Sequence, residues 1–402
     1  MTRRITLLSP SPSPPTPYES KLRVPLQAPP TRHELHLDLA EYQGGNPDPS
    51  FLDKIRAAAS QGDVDAVVMF DTPDDPMDDI WMALEGAQPW HLEMISDHGE
   101  RCWYEGLEKV KTPWPLRSVY IGSYNGGGMW AESDDELDDD EDLEDQEYRR
   151  ESKGDLERAS ANPATGLKTQ PSFPACYSHI EMLVLSFPNH RDLFFYPKGG
   201  AQNLRSLTIY DNEAFRTFSC TLTCNPALSD TLESLSLTWP HRYEGESWEE
   251  DIKKIKHFFA ESKALRNLEL FLGPDVIEDP NPRNDLDFYT RHRDTCPYAG
   301  LQSCLPPTLE FFSLSAPANR LTLVDIDHWI LSAQDPAWLP KLRRAAFSFA
   351  TDPAVGGLRR EEELLLDGKV EMLLDLLREK GVEIVEPRGA HEQDYPLPLS
   401  CY

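Results

Sequence analysis

Histidine and cysteine are the first residues in this sequence that could carry chemistry. His33 and His36 stand three residues apart with Glu34 between them, whereas the histidines of a zinc-protease helix are four apart. The stretch 33–39 alternates polar and apolar residues, which is typical of a half-buried strand. The pattern therefore favours a strand over a metal site.

The cysteines lack the partners that a zinc site requires. Cys220 and Cys224 have no second Cys/His pair at zinc-ribbon spacing, and the same holds for Cys296 and Cys304. We expect ordinary thiols. The odd total of seven cysteines and the absence of any Asn-x-Ser/Thr acceptor indicate an intracellular protein, cytoplasmic or nuclear.

Motifs for other catalytic machinery are missing from the sequence. There is no Gly-x-Ser-x-Gly for a nucleophile elbow. The glycines 126–128 lead into Met129 and Trp130, where a phosphate loop would supply a lysine and a hydroxyl. No ordered carboxylate pair stands out from the acidic background. We therefore expect a protein that is not an enzyme, with no catalytic, cofactor-binding or metal-binding residues.

A repeated frame, Leu-charged-x-apolar-x-apolar, organises the chain, and its second residue is always Arg or Glu. If each frame forms a short parallel strand, the last two apolar residues point inward and the first seals the layer. The frames are Leu116–Ile121, Leu204–Ile209, Leu232–Leu237, Leu265–Leu270, Leu309–Leu314 and Leu342–Phe347. The predicted core residues are Leu207, Ile209, Leu235, Leu237, Leu268, Leu270, Phe312 and Leu314.

These frames resemble the degenerate leucine-rich repeats of fungal F-box-type proteins, in which a solenoid presents a substrate to a ubiquitin ligase. The resemblance covers residues 32–386, and no F-box is recognisable within residues 1–60. It implies an α/β fold: an irregular leucine-rich-repeat solenoid with a curved parallel sheet, and with helices and loops on its convex side. Uneven spacing of the frames predicts a separate connector for each unit, including helices at 50–60, 248–263 and 361–380, the first with Ser50 as its N-cap.

Composition divides the chain into segments. The repeat units fall into two blocks, residues 31–130 and 173–386. The two blocks could form one continuous solenoid or two half-solenoids joined by a hinge. We predict a disordered Pro/Ser-rich tail at 1–30, repeat units at 31–130, a disordered acidic insertion at 131–172, repeat units with a closing helix and strand at 173–386, and a tail at 387–402.

Net charge narrows the choice of partner. The formal charge of -30, from 69 acidic and 39 basic residues, disfavours nucleic acid and anionic membranes and favours basic proteins. No apolar run reaches membrane length. Between Glu132 and Glu147, 12 of 16 residues are acidic, and this run could hold a basic protein or act as a solvated spacer. Candidate phosphorylation sites are Ser9, Ser11 and Ser13, which precede prolines, and Ser133, which precedes acidic residues.

The residues that alternate with the predicted core should line the concave side of the sheet. Aromatic side chains among small hydroxyls are typical of recognition surfaces. We therefore predict a non-catalytic protein-protein interaction scaffold, and the resemblance implies a substrate-recruiting adaptor; the alternative is an acidic chaperone or escort of basic proteins. The candidate binding residues are Tyr120, Thr208, Tyr210, Ser234, Ser236, Asn267, Glu269, Phe271, Phe311 and Ser313.

Overall fold

A single parallel sheet runs through the described part of the chain. In the computed structural model, twelve strands in these residues pair in the order in which they occur along the chain, so that each unit packs on its sequence neighbours. The structure describes residues 3–8, 33–39, 48–61, 64–70, 77–96, 110, 112–123, 179–187, 202–211, 214–239, 249–272, 296–350 and 358–386.

The strands and helices are short, and most strands contain five to seven residues. The strands are β1 Arg3–Leu8, β2 His33–Asp38, β3 Ala66–Phe70, β4 His91–Ser96, β5 Ser118–Ser123, β6 Met182–Phe187, β7 Ser206–Asp211, β8 Ser234–Trp239, β9 Asn267–Leu272, β10 Phe311–Pro317, β11 Arg344–Ala350 and β12 Glu383–Ile384. The helices are α1 Pro49–Ala59, α2 Asp78–Ala83, α3 Ala214–Cys224, α4 Leu228–Thr231, α5 Glu249–Glu261, α6 Arg320–Gln334 and α7 Arg360–Glu379, with a 3-10 turn at Leu301–Ser303.

The leucine frames form strands as predicted, and each strand begins two residues after the first leucine of its frame. Leu204 is fully buried ahead of β7, and Leu207 and Ile209 point from that strand into the core. All eight predicted core residues are buried, at 1% exposure or less. This confirms the α/β class and the parallel sheet.

The two repeat blocks belong to one sheet. β5, from the first block, pairs in parallel with β6, from the second, with Tyr120 opposite Val184 and Ile121 opposite Leu185. The core is likewise one cluster of buried residues that extends through both blocks. The hinge alternative is therefore unnecessary at this junction.

The helices predicted at 50–60, 248–263 and 361–380 correspond to α1, α5 and α7, although the N-cap of α1 differs from the prediction. Asp48 is the N-cap residue, and its carboxylate accepts the backbone N–H of Ser50. Pro49 then occupies the first turn, where its missing N–H costs nothing. The stop at Ser60 agrees with the predicted end.

One element lies where the sequence predicted only a tail. Residues 3–8, within the predicted disordered segment 1–30, form β1 and pair in parallel with β2. The edge of β2 would otherwise present a row of unpaired backbone groups. Pairing with this edge gives the short apolar stretch 3–8 a partner. The rest of 1–30, the insertion 131–172 and the tail 387–402 lie outside the described residues, and so do the four candidate phosphorylation sites.

The sheet has two different faces. One face is packed against the helices; for example, Phe215 and Phe218 of α3 join Leu207 and Leu235 in the core. We call the other face the open face. On β7, β8 and β9 burial alternates strictly along the strand, so the open-face residues are half-exposed. On β2 and β3 both faces are buried almost throughout.

Candidate binding surface

The open face of β7 to β11 is a regular grid of side chains. Parallel register aligns Thr208, Ser236, Glu269 and Ser313 in one row across four strands. A second row aligns Tyr210, Thr238 and Phe271, and a third aligns Ser206, Ser234, Asn267, Phe311 and Arg344. Neighbouring strands lie about 4.8 Å apart and residues in one strand repeat about every 6.7 Å. The backbone ladder therefore holds the grid in place.

Aromatic rings stand at the sides of this grid. Tyr210 and Phe271 occupy one row with Thr238 between them, so their Cα atoms are separated by two strand spacings, roughly 10 Å. Phe311 lies in the opposite row, and the guanidinium of Arg344 sits 5.0 Å from the centre of its ring. All three rings are half-exposed. Hydroxyl groups between half-exposed rings offer both apolar area and hydrogen bonds to a ligand.

Nine of the ten predicted binding residues lie together on this open face, and all nine are half-exposed. Tyr120 does not belong to the group. It lies on β5 and is only 5% exposed. A Cβ atom on Gly122 would lie 2.7 Å from the Tyr120 hydroxyl, which shows that the ring lies against the strand over that glycine. Tyr120 is therefore unavailable as an anchor, and its prediction is wrong.

A row of charges of alternating sign borders the open face at the N-terminal ends of the strands. The second residue of each frame occupies this row, and so does Glu181, which follows Ile180 ahead of β6. From Glu181 onward, each backbone N–H donates to the carbonyl oxygen of the preceding member at 2.7–2.9 Å. Arg205 and Glu233 pair at 2.7 Å, and Arg266 and Glu310 approach to 3.6 Å. We call this set the charge row. Its members are Arg117, Glu181, Arg205, Glu233, Arg266, Glu310 and Arg343.

The first four members of the charge row line a groove of about 670 Å³. Arg117, Glu181 and Arg205 are exposed there. The sequence showed an Arg or a Glu after each first leucine, but the alternation of sign has physical meaning only once the frames are in register. Opposite charges on adjacent strands attract, and like charges at the same spacing repel.

Two buried His–Glu pairs lie on the open face of the N-terminal strands. His36 Nε2 lies 2.8 Å from Glu34 Oε2 on β2, and His91 Nε2 lies 2.6 Å from Glu93 Oε1 on β4. Register places Ala66 of β3 between Glu34 and His91. The second pair is fully buried. In each pair the buried imidazole and the buried carboxylate form a hydrogen bond with each other. Neither pair is accessible to a substrate in this structure.

The residue types of a hydrolase triad come close together at this point. Ser118 of β5 stands opposite His91 in the register, and Glu93 contacts the same imidazole. However, neither Ser118 Oγ nor His91 Nδ1 has a hydrogen-bond partner, and both residues are buried. A nucleophile must hydrogen-bond to its base and reach the substrate. These side chains do not form such a site.

The described residues also contain no site for metal binding or for thiol chemistry. No group of three His, Cys, Asp or Glu side chains there could hold a metal ion. Burial raises the pKa of Cys220 and Cys304 to about 11, and that of Cys296 to about 12. Because the thiolate is the reactive form, these cysteines are weak nucleophiles. None of the helices in the described ranges has both the length and the apolar character needed to cross a membrane.

No protein-family model matches the chain, and a search of curated proteins finds no match at a significant level. On β7, β8 and β9, and at Phe311 and Ser313 of β10, the aligned open-face side chains are half-exposed, whereas Ser315 of β10 and Ala346 of β11 are buried.

Proposed function

We propose that this protein is a non-catalytic, intracellular scaffold that binds another protein on the open face of β7 to β11. The observation that carries this proposal is the set of three half-exposed rings, Tyr210, Phe271 and Phe311, on a grid of hydroxyl side chains. Such rings are common anchors in protein interfaces, since they bury a large area and have few rotatable bonds.

Rigidity of the grid supports the proposal. Every strand from β7 to β11 pairs with two neighbours, and its core-facing residues, such as Leu235 and Leu268, are fully buried. The open-face side chains are therefore held in position before a partner arrives. A surface that needs no reordering loses little entropy on binding, so more of the contact energy appears as affinity.

The expected partner is a protein with basic residues next to apolar ones. Glu269 lies in the central row of the open face, among Thr208, Ser236 and Ser313. The whole chain carries a formal charge of -30, which steers basic ligands towards it and repels acidic ones. An apolar side chain between Tyr210 and Phe271 would cover Thr238 and meet both rings.

Affinity purification with quantitative mass spectrometry tests the proposal. The variant Tyr210→Ala/Phe271→Ala should lower the recovery of specific partners at least tenfold. The matched control is Met82→Ala/Leu331→Ala, which removes two exposed apolar side chains from the helices α2 and α6 and should leave recovery unchanged. Equal loss in both variants, or none in either, would contradict the proposed surface.

A narrower version of the proposal is a substrate-recruiting adaptor of a ubiquitin ligase. Its support is the resemblance of the leucine frames to those of F-box-type proteins, together with the parallel sheet in chain order. Under this version a cullin-type scaffold should be recovered with the wild type and also with Tyr210→Ala/Phe271→Ala, since substrate and ligase would bind different surfaces.

A second candidate function is an escort for basic proteins, and the acidic run between Glu132 and Glu147 favours it. Binding by that run would depend on charge alone and should weaken steeply as salt rises. Deletion of the run should then abolish capture of a basic client. If capture remains unchanged after the deletion, the run acts as a spacer.

A further inference from the structure

The last helix, α7, exposes apolar side chains on the side opposite to its buried face. Leu364, Leu365 and Met372 are 55%, 51% and 53% exposed. Each residue of a helix is rotated by 100° from the one before it, so Leu364 and Gly368, two residues on either side of buried Leu366, point away from the core. We call Leu364, Leu365, Gly368 and Met372 the α7 stripe.

Gly368 packs against no other part of the chain that the structure describes. A Cβ atom there would meet no other atom within 4 Å. Glycine in a helix interior lowers stability relative to alanine, and here the protein's own packing gives nothing in return. A missing side chain is useful where another backbone must approach closely. The glycine lies at the centre of the stripe, where such an approach would occur.

Spacing along the stripe matches the packing seam of two helices. Leu365, Gly368 and Met372 stand at positions i, i+3 and i+7, and half-buried Leu376 continues the line at i+11. Apolar residues at this spacing form a continuous line on one helix face, which packs against the corresponding line of a second helix. An α-helix is therefore the element that fits the stripe.

The charges beside the stripe indicate which helix would bind. Glu361, Glu371, Asp375 and Glu379 are exposed around it. Asp367 is also exposed on α7, and the exposed basic residues of the helix are Arg360 and Arg378. Arg378 Nη1 donates to Glu371 and Asp375 at 2.7 Å each. Five acidic residues and two arginines leave a net charge of -3. A second copy of this chain or an anionic membrane would bring like charge to the same place.

We propose that the α7 stripe docks an amphipathic, basic helix of a partner protein. The partner helix would carry apolar residues at i, i+3 and i+7 and small residues opposite Gly368, with Lys or Arg on both sides of its apolar line. This surface lies on a helix, away from the open face, so the two proposals can fail separately.

Fluorescence anisotropy with a synthetic helix tests this inference on the full chain. The probe is a labelled peptide of about 20 residues, with Leu and Ala on one face and Lys and Arg beside it. Its control is a peptide of the same composition in scrambled order. At physiological salt the amphipathic peptide should bind at least tenfold more tightly than the scrambled one.

Variants of the protein then locate the binding site. Leu365→Gln/Met372→Gln and, separately, Gly368→Leu should each weaken binding of the amphipathic peptide at least tenfold, since these exposed positions are not needed for folding. Gly368→Ala should raise the Tm by roughly 1–3 °C while it weakens binding. Met82→Ala, which removes an exposed apolar side chain from α2, should leave peptide binding unchanged.

Three results would overturn the inference. The first is equal binding of both peptides, which would indicate attraction by charge alone. The second is unchanged peptide binding in both stripe variants. The third is a wild-type dimer in analytical ultracentrifugation that Leu365→Gln/Met372→Gln dissociates, because the occupant would then be a second copy.

Discussion

Reversal of a single charge in the charge row should destabilise the protein by disturbing two neighbours at once. Glu233 stands between Arg205 and Arg266 in the row and pairs with Arg205 at 2.7 Å. In Glu233→Arg both neighbours would face a like charge. In Arg205→Glu the same would hold for Glu181 and Glu233.

The size of the effect follows from exposure and spacing. The side chains of Arg205 and Glu233 are 64% and 38% exposed, so interactions between neighbouring charges of the row are screened. Replacing attraction by repulsion in one neighbouring pair should cost about 0.5 kcal/mol. Each single reversal changes two neighbouring pairs and should cost roughly 1 kcal/mol. Arg205→Glu/Glu233→Arg restores the contact between the two residues and leaves two like-charge contacts with the outer neighbours. The double variant should therefore also cost roughly 1 kcal/mol, whereas additivity would give about 2 kcal/mol.

Urea unfolding at 50 mM salt measures these free energies, and a repeat at 1 M salt should remove most of the coupling because charges are then screened within about 3 Å. The matched control is the pair Lys263 and Asp230, which is also exposed and lies at 2.9 Å but outside the row. Its double swap should return close to wild-type stability. Additive costs in the row, or coupling that persists at 1 M salt, would refute the reasoning.

Three further outcomes follow from the buried side chains. Leu235→Ala should cost roughly 2–5 kcal/mol in urea unfolding, whereas Ser236→Ala on the open face should change stability by less than about 0.5 kcal/mol; similar costs would contradict the assignment of faces. The buried carboxylate of Asp325 accepts the backbone N–H of Gly300 at 3.0 Å and the indole N–H of Trp329 at 2.9 Å. Asp325→Ala should therefore lower the free energy of unfolding by roughly 2–4 kcal/mol and Asp325→Asn by less. Equal losses in the two variants would argue against these hydrogen bonds. Burial raises the pKa of Cys296 from 9.0 to about 12, so its contribution to stability should be lost between about pH 9 and pH 12. Iodoacetamide at pH 8 should modify Cys296 only after unfolding. Rapid labelling of the native protein, detected by peptide mapping, would contradict its burial.

The sequence predicted the sheet because the same six-residue frame recurs. The apolar residues at alternate positions of the frame are typical of a strand with one buried face. Leu204 and Leu207 illustrate this: the spacing alone identifies one as the residue that seals the layer and the other as core. The sign alternation from Arg117 to Arg343 did not appear in the six leucine frames, because Glu181 follows Ile180 and not a leucine. Its meaning depends on which frames are adjacent in the sheet.

Other features could not be predicted from local pattern. Helix α3 contains Thr, Ser and Cys residues with low helix propensity, and it forms because Phe215 and Phe218 pack against the sheet. Helix α6 had a usable signal, the N-cap Asn319, whose side chain accepts the N–H of Thr322. Tyr120 has the same frame position as Thr208, and its burial arises from tertiary contacts that the frame does not encode.

Site-specific photo-crosslinking tests the central claim most directly. A benzoylphenylalanine replaces Ser236, in the central row of the open face, and in a separate protein it replaces Leu331, which is 62% exposed on α6. After irradiation in cells, the protein labelled at position 236 should form discrete crosslinked products that Phe271→Ala reduces, and the protein labelled at position 331 should not form those products. The same products from both positions, or none from position 236, would contradict a partner on the open face.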